Sequence, residues 1–304
     1  MRAPSGEQIE LVAGGQRVVV VEVGGGIRSY AVDGRALLDG YGAGEMCTSG
    51  RGQVLIPWPN RLRGGSYEFD GRRHQFALSE PAQGNAIHGL VRWSAWKVGE
   101  RRGDRVAMEH VVHPQPGYPF RLELRIEYEL SSSGLSVRTT AANTGAEACP
   151  YGCGAHPYLS VATAGVDSVI LRAPADRVIF SDEQGIPNGD AVVDGTAYDF
   201  RSPRLVGDTR LDNAFTELER DADGLARIEL RDATSGAGAD VWMDETYRYV
   251  MLFSGDPLPD VNRRSLAVEP MTCPPNAFRS GEAVVRLEPG ASCTSAWGIA
   301  PVSP

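Results

Sequence analysis

The residues best suited to chemistry lie in four short stretches that set ionisable groups among glycine, proline and aromatic side chains. "SLAVEPMTCPPNAF", Ser265 to Phe278, puts Glu269 directly after the apolar Leu266, Ala267 and Val268. A carboxylate at the end of a buried strand is costly unless it is paired or used, and the prolines around it would fix its loop. "YGCGAHPYLSV", Tyr151 to Val161, holds His156 behind Gly152, Cys153, Gly154 and Ala155. Such small residues would leave room for a large ligand, and Pro157 biases His156 towards an extended backbone. "GNAIHGLVRW" sets His88 before Gly89, with Trp93 five positions on; the glycine permits a close approach or a positive φ. "IPWPNRLRGG" flanks Trp58 with prolines and follows it with Asn60 and Arg61. A flat apolar face beside amide and guanidinium groups suits a sugar ring, which is apolar on its CH face and polar at its hydroxyl edge. A weaker fifth point is "LDNAF", where Asp212 precedes Phe215.

Each stretch has a plainer reading. Trp58 and Arg61 read equally as a buried ring and a structural arginine closing a turn. His88 and His156 read as satisfied core histidines, and Asp212 as a turn residue. Only at Glu269 does function outweigh packing. His74, His110 and His113 lie in a hairpin arm and at a strand end and carry no such argument.

Suppose Glu269 and a histidine face each other across a pocket. With ordinary pKa values of about 4.3 and 6.5, the carboxylate is ionised at pH 7 and the imidazole partly protonated. The pair could then move a proton between two oxygens of one substrate, a reaction that needs neither metal nor organic cofactor. Other chemistries find no motif. There is no G-x-S-x-G elbow and no P-loop, and "GGG" at Gly24 has no following helix to make a dinucleotide site. Cys149 and Cys153 lie four apart without a second pair, so no metal site is expected. A glycosidase would need two carboxylates across the bond.

The elements that must position these residues are strands. In "RLELRIEYEL", Leu122, Leu124, Ile126, Tyr128 and Leu130 share one face and charged residues the other, the pattern of a half-buried antiparallel strand. "RVVVVEV", "IRSYAV", "ARIELRD", "ADVWMDE", "YVMLFSG", "LAVEPM" and "TSAWGIA" read the same way, and "EFDGRRH" carries a DG turn. Thirty-six glycines and twenty prolines punctuate them. No window carries a helical stripe, so the fold class is all-β, a sandwich or barrel-like body. Ser181 to Arg204 is the longest loop-like stretch, and its apolar anchors rule out a linker. One domain over 1–304 is the simplest reading.

A net charge of −9 disfavours nucleic acid and an anionic membrane surface. The start lacks a basic-then-apolar signal pattern, and five cysteines fit reduced thiols. A cytoplasmic protein, monomer or weak dimer, is expected.

The motifs "NRLRGGSYEFDG", "NAIHG", "AHPYL", "LDNAF" and "VEPMTCPPNAF", in this order over about Ile27 to Trp297, resemble the aldose 1-epimerases, or mutarotases, of the galactose mutarotase-like superfamily. The resemblance implies a large antiparallel β-supersandwich with the sugar in a cleft on one sheet. It implies Glu269 as base on the anomeric hydroxyl, His156 as acid towards the ring oxygen, and His88 assisting. Arg61 and Asp212 would hold hydroxyls, with Asn60, Trp58 and Trp93 around the ring. Three departures bear on the pocket's shape: Leu90 where a second glycine is usual, Leu159 where Phe is usual, and "LSEPAQGN" where an asparagine is usual. "IPWPNRL" and "LVRWSAW" look similar to a bacterial subgroup associated with sulfosugars. Arg92 is a candidate anion contact there, against a preferred reading as a solvated surface arginine. A phosphorylated-hexose epimerase and a non-catalytic sugar-binding protein of the same fold are the competing functions.

Overall fold

A computed structural model describes residues 3–161, 165–258 and 262–304. The chain is all-β, with strands joined by tight turns. Among the described residues the only helical segments are the turn Val166–Ser168 and the short Ala277–Ser280. Two large antiparallel sheets dominate. One orders Lys97–Arg101, Arg105–Val112, Leu122–Ser131, Gly134–Asn143, Ser292–Val302, Gly238–Met243, Ala226–Asp232, Val169–Arg172 and Arg204–Leu205. The other orders Pro187–Val192, Ala175–Ser181, Asp212–Leu218, Tyr249–Phe253, Leu266–Met271, Gly154–Ala155 and Val54–Leu55, with Tyr158–Leu159 also pairing Leu266–Met271. A four-stranded sheet from Gln8–Ala13 to Arg35–Ala36 stands beside them.

Period-two alternation builds the core. Leu122, Leu124, Ile126, Tyr128 and Leu130 are buried while Glu123 and Glu129 face water. From the second sheet, Val178, Phe215, Val250, Leu252, Leu266 and Val268 join the same apolar cluster. The opposite face of that sheet carries a separate small cluster, Ile179, Ala214, Tyr249, Met251 and Met271, and this is the face that holds the candidate site.

Two expectations change. Ser181 to Arg204 is not all loop: Pro187–Val192 is an edge strand paired with Ala175–Ser181. Its exposed "PNGDAV" pattern hides it, since an edge strand needs little apolar surface. "LDNAF" opens the strand Asp212–Leu218 rather than a turn, because its neighbours Tyr249–Phe253 and Ala175–Ser181 supply the pairing.

Candidate functional site

Ladder register places Glu269. It lies opposite Met251, which lies opposite Ala214, and two pairs along Phe253 lies opposite Asp212. Directly opposed residues, and residues two apart, share a face, so Glu269 and Asp212 point to the same side of the sheet. Tyr158 pairs Ala267 on that side. His156 precedes it by two residues on a segment whose main chain bonds to Gly52 and Gln53. The extended backbone expected ahead of Pro157 thus becomes an edge pairing that aims the imidazole at Glu269.

The result is a buried acid–base pair. Glu269 Oε1 is 3.4 Å from His156 Nε2, with side chains 3% and 6% exposed. Among the described residues, Glu269 Oε2 and His156 Nδ1 are buried without a hydrogen-bond partner, a costly state that a ligand would relieve. The His88 ring stands edge-on to His156 at 5.3 Å. His88 Nδ1 accepts a hydrogen bond from the Asn60 N–H at 3.1 Å, so the ring proton of neutral His88 sits on Nε2 as a donor. The short pairing of Arg61–Arg63 with Asn85–Ile87 brings these two together. His88 and Asn60 both take left-handed conformations, φ 62° and 55°, strain of the kind retained at functional sites. Gly89 follows at φ 70°, where a Cβ would fall 2.0 Å from the Ile56 carbonyl oxygen; the glycine of the HG pair is obligatory for this approach.

Burial works against the ionisation expected from the sequence. His156 is pushed down to about 3, first by burial, then by the positive charge of Arg92, with Arg51 adding to it. Glu269 is pushed well up, first by burial and then by the Asp212 charge, against Arg61. Burial thus favours the uncharged form of both groups. His88 is pushed down by burial, His156, Arg92 and Arg61.

Arg61 gives Nε and Nη2 to Glu80 at 2.8 and 3.0 Å. Glu80 stands in the "LSEPAQGN" segment and was not expected at the site. Arg92 is partly buried, not solvated: its guanidinium reaches Gln53 Oε1 and the Ile87 carbonyl at 3.4 Å each and acts on both histidines. Trp93 is 53% exposed. Trp58 offers no open face. It is 3% exposed and packs on Phe76 and Phe278 at 4.3 and 5.6 Å between ring centroids, because the apolar cluster closes over "IPWP" from both sides. Nor do the small residues before His156 make room for a ligand: a Cβ on Gly152 would meet Cys273 Sγ at 2.5 Å, and one on Gly154 the Pro270 carbonyl at 2.8 Å. Leu159 lies in the main core against Leu266, so that departure does not touch the site.

The sequence also gave no sign of Arg51. It is 3% exposed, with Nε and Nη2 lacking hydrogen bonds among the described residues and Asp39 at 3.6 Å. Its Cζ lies 5.1 Å from the Tyr158 ring centre, and Tyr158 stacks on His156 at 4.9 Å and 15°.

Comparison with known proteins bears on the family and the fold. A family model described as aldose 1-epimerase matches residues 7–299. The uncharacterized protein YihR of Escherichia coli K12 is 34% identical over 287 residues, covering 94% of this chain and 90% of YihR. A putative aldose 1-epimerase from E. coli K12 superposes with a TM-score of 0.82 at 21% identity, covering 98% of this chain and 99% of the other. A galactose 1-epimerase from Lactobacillus acidophilus NCFM gives 0.78 at 20% identity, covering 95% and 92%. With the family model matching nearly the whole length, the chain belongs to the aldose 1-epimerase family.

Proposed function

We propose that the protein is an aldose 1-epimerase that interconverts the α and β anomers of a hexose by ring opening and closure. The observation that carries this reading is the 3.4 Å approach of Glu269 Oε1 to His156 Nε2, two buried groups positioned to meet the two oxygens on one anomeric carbon. Glu269 as carboxylate takes the proton of the anomeric hydroxyl. Imidazolium His156 gives its proton to the ring oxygen as the C1–O bond breaks. After rotation about C1–C2, the hydroxyl oxygen attacks the other face of the carbonyl. His156 takes its proton back and Glu269 returns the other. The ring-bound state (carboxylate with imidazolium) and the open-chain state (carboxylic acid with imidazole) hold the same number of protons. Burial favours the second state, and one proton shift across the pair reaches the first. His88 Nε2–H, Arg61 and Asp212 orient hydroxyls, and exposed Trp93 supplies an apolar face.

Polarimetry or NMR on a freshly dissolved sugar tests this: Glu269→Gln and His156→Ala are expected to abolish the acceleration, and full activity in both overturns the mechanism. A second reading, a phosphorylated or sulfonated hexose as substrate, is favoured by Arg92, a half-buried arginine whose guanidinium hydrogen bonds among the described residues are long, at 3.4 Å. Rates on free, phosphorylated and sulfonated hexoses separate the two. Binding of all three without acceleration supports a non-catalytic sugar-binding protein.

A further inference from the structure

The proton-transfer chemistry leaves one buried charge unused. Arg51 stands in the turn 48–53, where Ser49, Gly50 and Gly52 take left-handed conformations, φ 55°, 74° and 65°. Its Nη1 donates to the Thr48 carbonyl and hydroxyl oxygens at 3.1 Å each. With 3% of the side chain exposed, and Nε and Nη2 sealed from solvent, the guanidinium has little to offer a sugar directly. Asp39, at 3.6 Å, is engaged elsewhere. It accepts from Arg264 at 2.6 and 3.0 Å and from the Ser265 hydroxyl at 2.7 Å. A buried guanidinium so loosely paired is costly to keep, and its neighbours show what it serves.

Arg51 meets His156 through an aromatic ring. Its Cζ lies 5.1 Å from the Tyr158 ring centre, within reach of a cation–π contact. Tyr158 in turn lies nearly parallel to the His156 imidazole, 4.9 Å between centroids and 15° between planes. The Tyr158 hydroxyl donates to the Ser49 carbonyl at 3.0 Å. The Gly52 N–H donates to the His156 carbonyl at 2.8 Å, and the His156 N–H to the Gln53 carbonyl at 3.1 Å. One turn therefore grips the histidine's main chain, ties the ring stacked on it and carries the charge. Other ionisable groups also face the imidazole: Glu269 at 3.4 Å from Leu266–Met271, His88 at 5.3 Å beyond Asn85–Ile87, and Arg92 from the segment that follows. Cys47 donates its thiol to the Arg51 carbonyl at 3.3 Å. Burial, first among its influences, pushes that thiol up to about 11 and likewise raises the Tyr158 hydroxyl. Neither cancels the guanidinium charge at neutral pH.

We propose that Arg51, acting through Tyr158, is a positioning residue for His156: it fixes the plane of the imidazole and sets a positive charge near it that favours release of its proton to the ring oxygen. The proposal rests on the epimerase reading. A nearby cation disfavours a second positive charge on the imidazole, so the imidazolium formed for ring opening gives up its proton readily. The influence of Arg51 on His156 has that sign.

The test compares wild type, Arg51→Gln and Arg51→Lys. The glutamine amide keeps a donor for Thr48 and removes the charge, whereas the lysine keeps the charge. Two readouts are followed across pH: mutarotation of a freshly dissolved hexose, and the His156 ring signals in NMR, assigned against His156→Ala. In Arg51→Gln the His156 titration and the acid limb of kcat/KM are expected to move up by about half to one pH unit. Its kcat should fall about three- to tenfold, with KM retained. Arg51→Lys should restore the pH behaviour of the wild type. Arg51→Met serves as the neutral variant should Arg51→Gln not fold. An unmoved His156 titration in the neutral variant, or an equal movement in Arg51→Lys, overturns the proposal. So does a rise in KM with kcat retained, which makes Arg51 a sugar contact. Absence of acceleration by the wild type overturns the epimerase reading instead, and the NMR titration then decides by itself whether Arg51 acts on His156.

Discussion

At Glu269 and His156, burial shifts each group towards its uncharged form. Burial raises the Glu269 carboxyl, so the folded protein holds a proton that the unfolded chain releases once the pH passes about 4.3. Stability therefore falls as pH rises through the carboxylate range and up to the raised value. Glu269→Gln removes that penalty. The variant is expected to lose about 10²–10⁴-fold in kcat, yet to melt a few degrees above the wild type at pH 8. The gain should vanish at pH 4, and melting curves at the two pH values check it. His156 has the opposite sign: its value falls to about 3, so its contribution is present above about 6.5 and is lost as pH falls below that. The same shift moves catalysis. The acid limb of kcat/KM should lie well below the ordinary histidine range, with a plateau across neutral pH; a limb near 6.5 contradicts it.

Elements aim these side chains, and their backbones leave little tolerance. The segment 48–53 lies against the His156 ring, and a Cβ on Gly50, at φ 74°, would come within 2.8 Å of His156 Cδ2. Gly50→Ala is expected to retain the fold while kcat falls at least tenfold, roughly what a displacement of about 1 Å costs. Circular dichroism with polarimetry separates the two effects. Arg61 depends on Glu80 in the same way. Glu80→Gln leaves a half-buried guanidinium without its bidentate partner, so KM should rise more than kcat falls. The opposite split would make Glu80 part of the proton-transfer machinery.

On the scale of the whole molecule, the apolar faces of the two large sheets belong to one cluster. The single unit over 1–304 expected from the sequence then predicts one cooperative unfolding transition. Ile126→Ala, in the sheet away from the site, should lower the midpoint of that one transition by about 2–5 kcal/mol in stability and leave KM unchanged. Two separate transitions in calorimetry would show the sheets to be independent. No helix among the described residues is long and apolar enough to cross a membrane.

The strands of the core were legible in the sequence because alternation is a local property: "RLELRIEYEL" needs no partner to show which face is apolar. Glu269, His156, His88, Arg61 and Asp212 were legible because short motifs fix residue types and order. Edge strands such as Pro187–Val192 were hidden, since water satisfies one side and no apolar pattern is required. What only the tertiary structure decided depends on distance between remote segments. It closed Trp58 into the core, gave Arg61 its partner Glu80, drew Arg92 and Arg51 towards His156, and biased the Glu269–His156 pair towards its uncharged forms. Burial and charge at a point in space are sums over many segments, and no single stretch of the chain carries them.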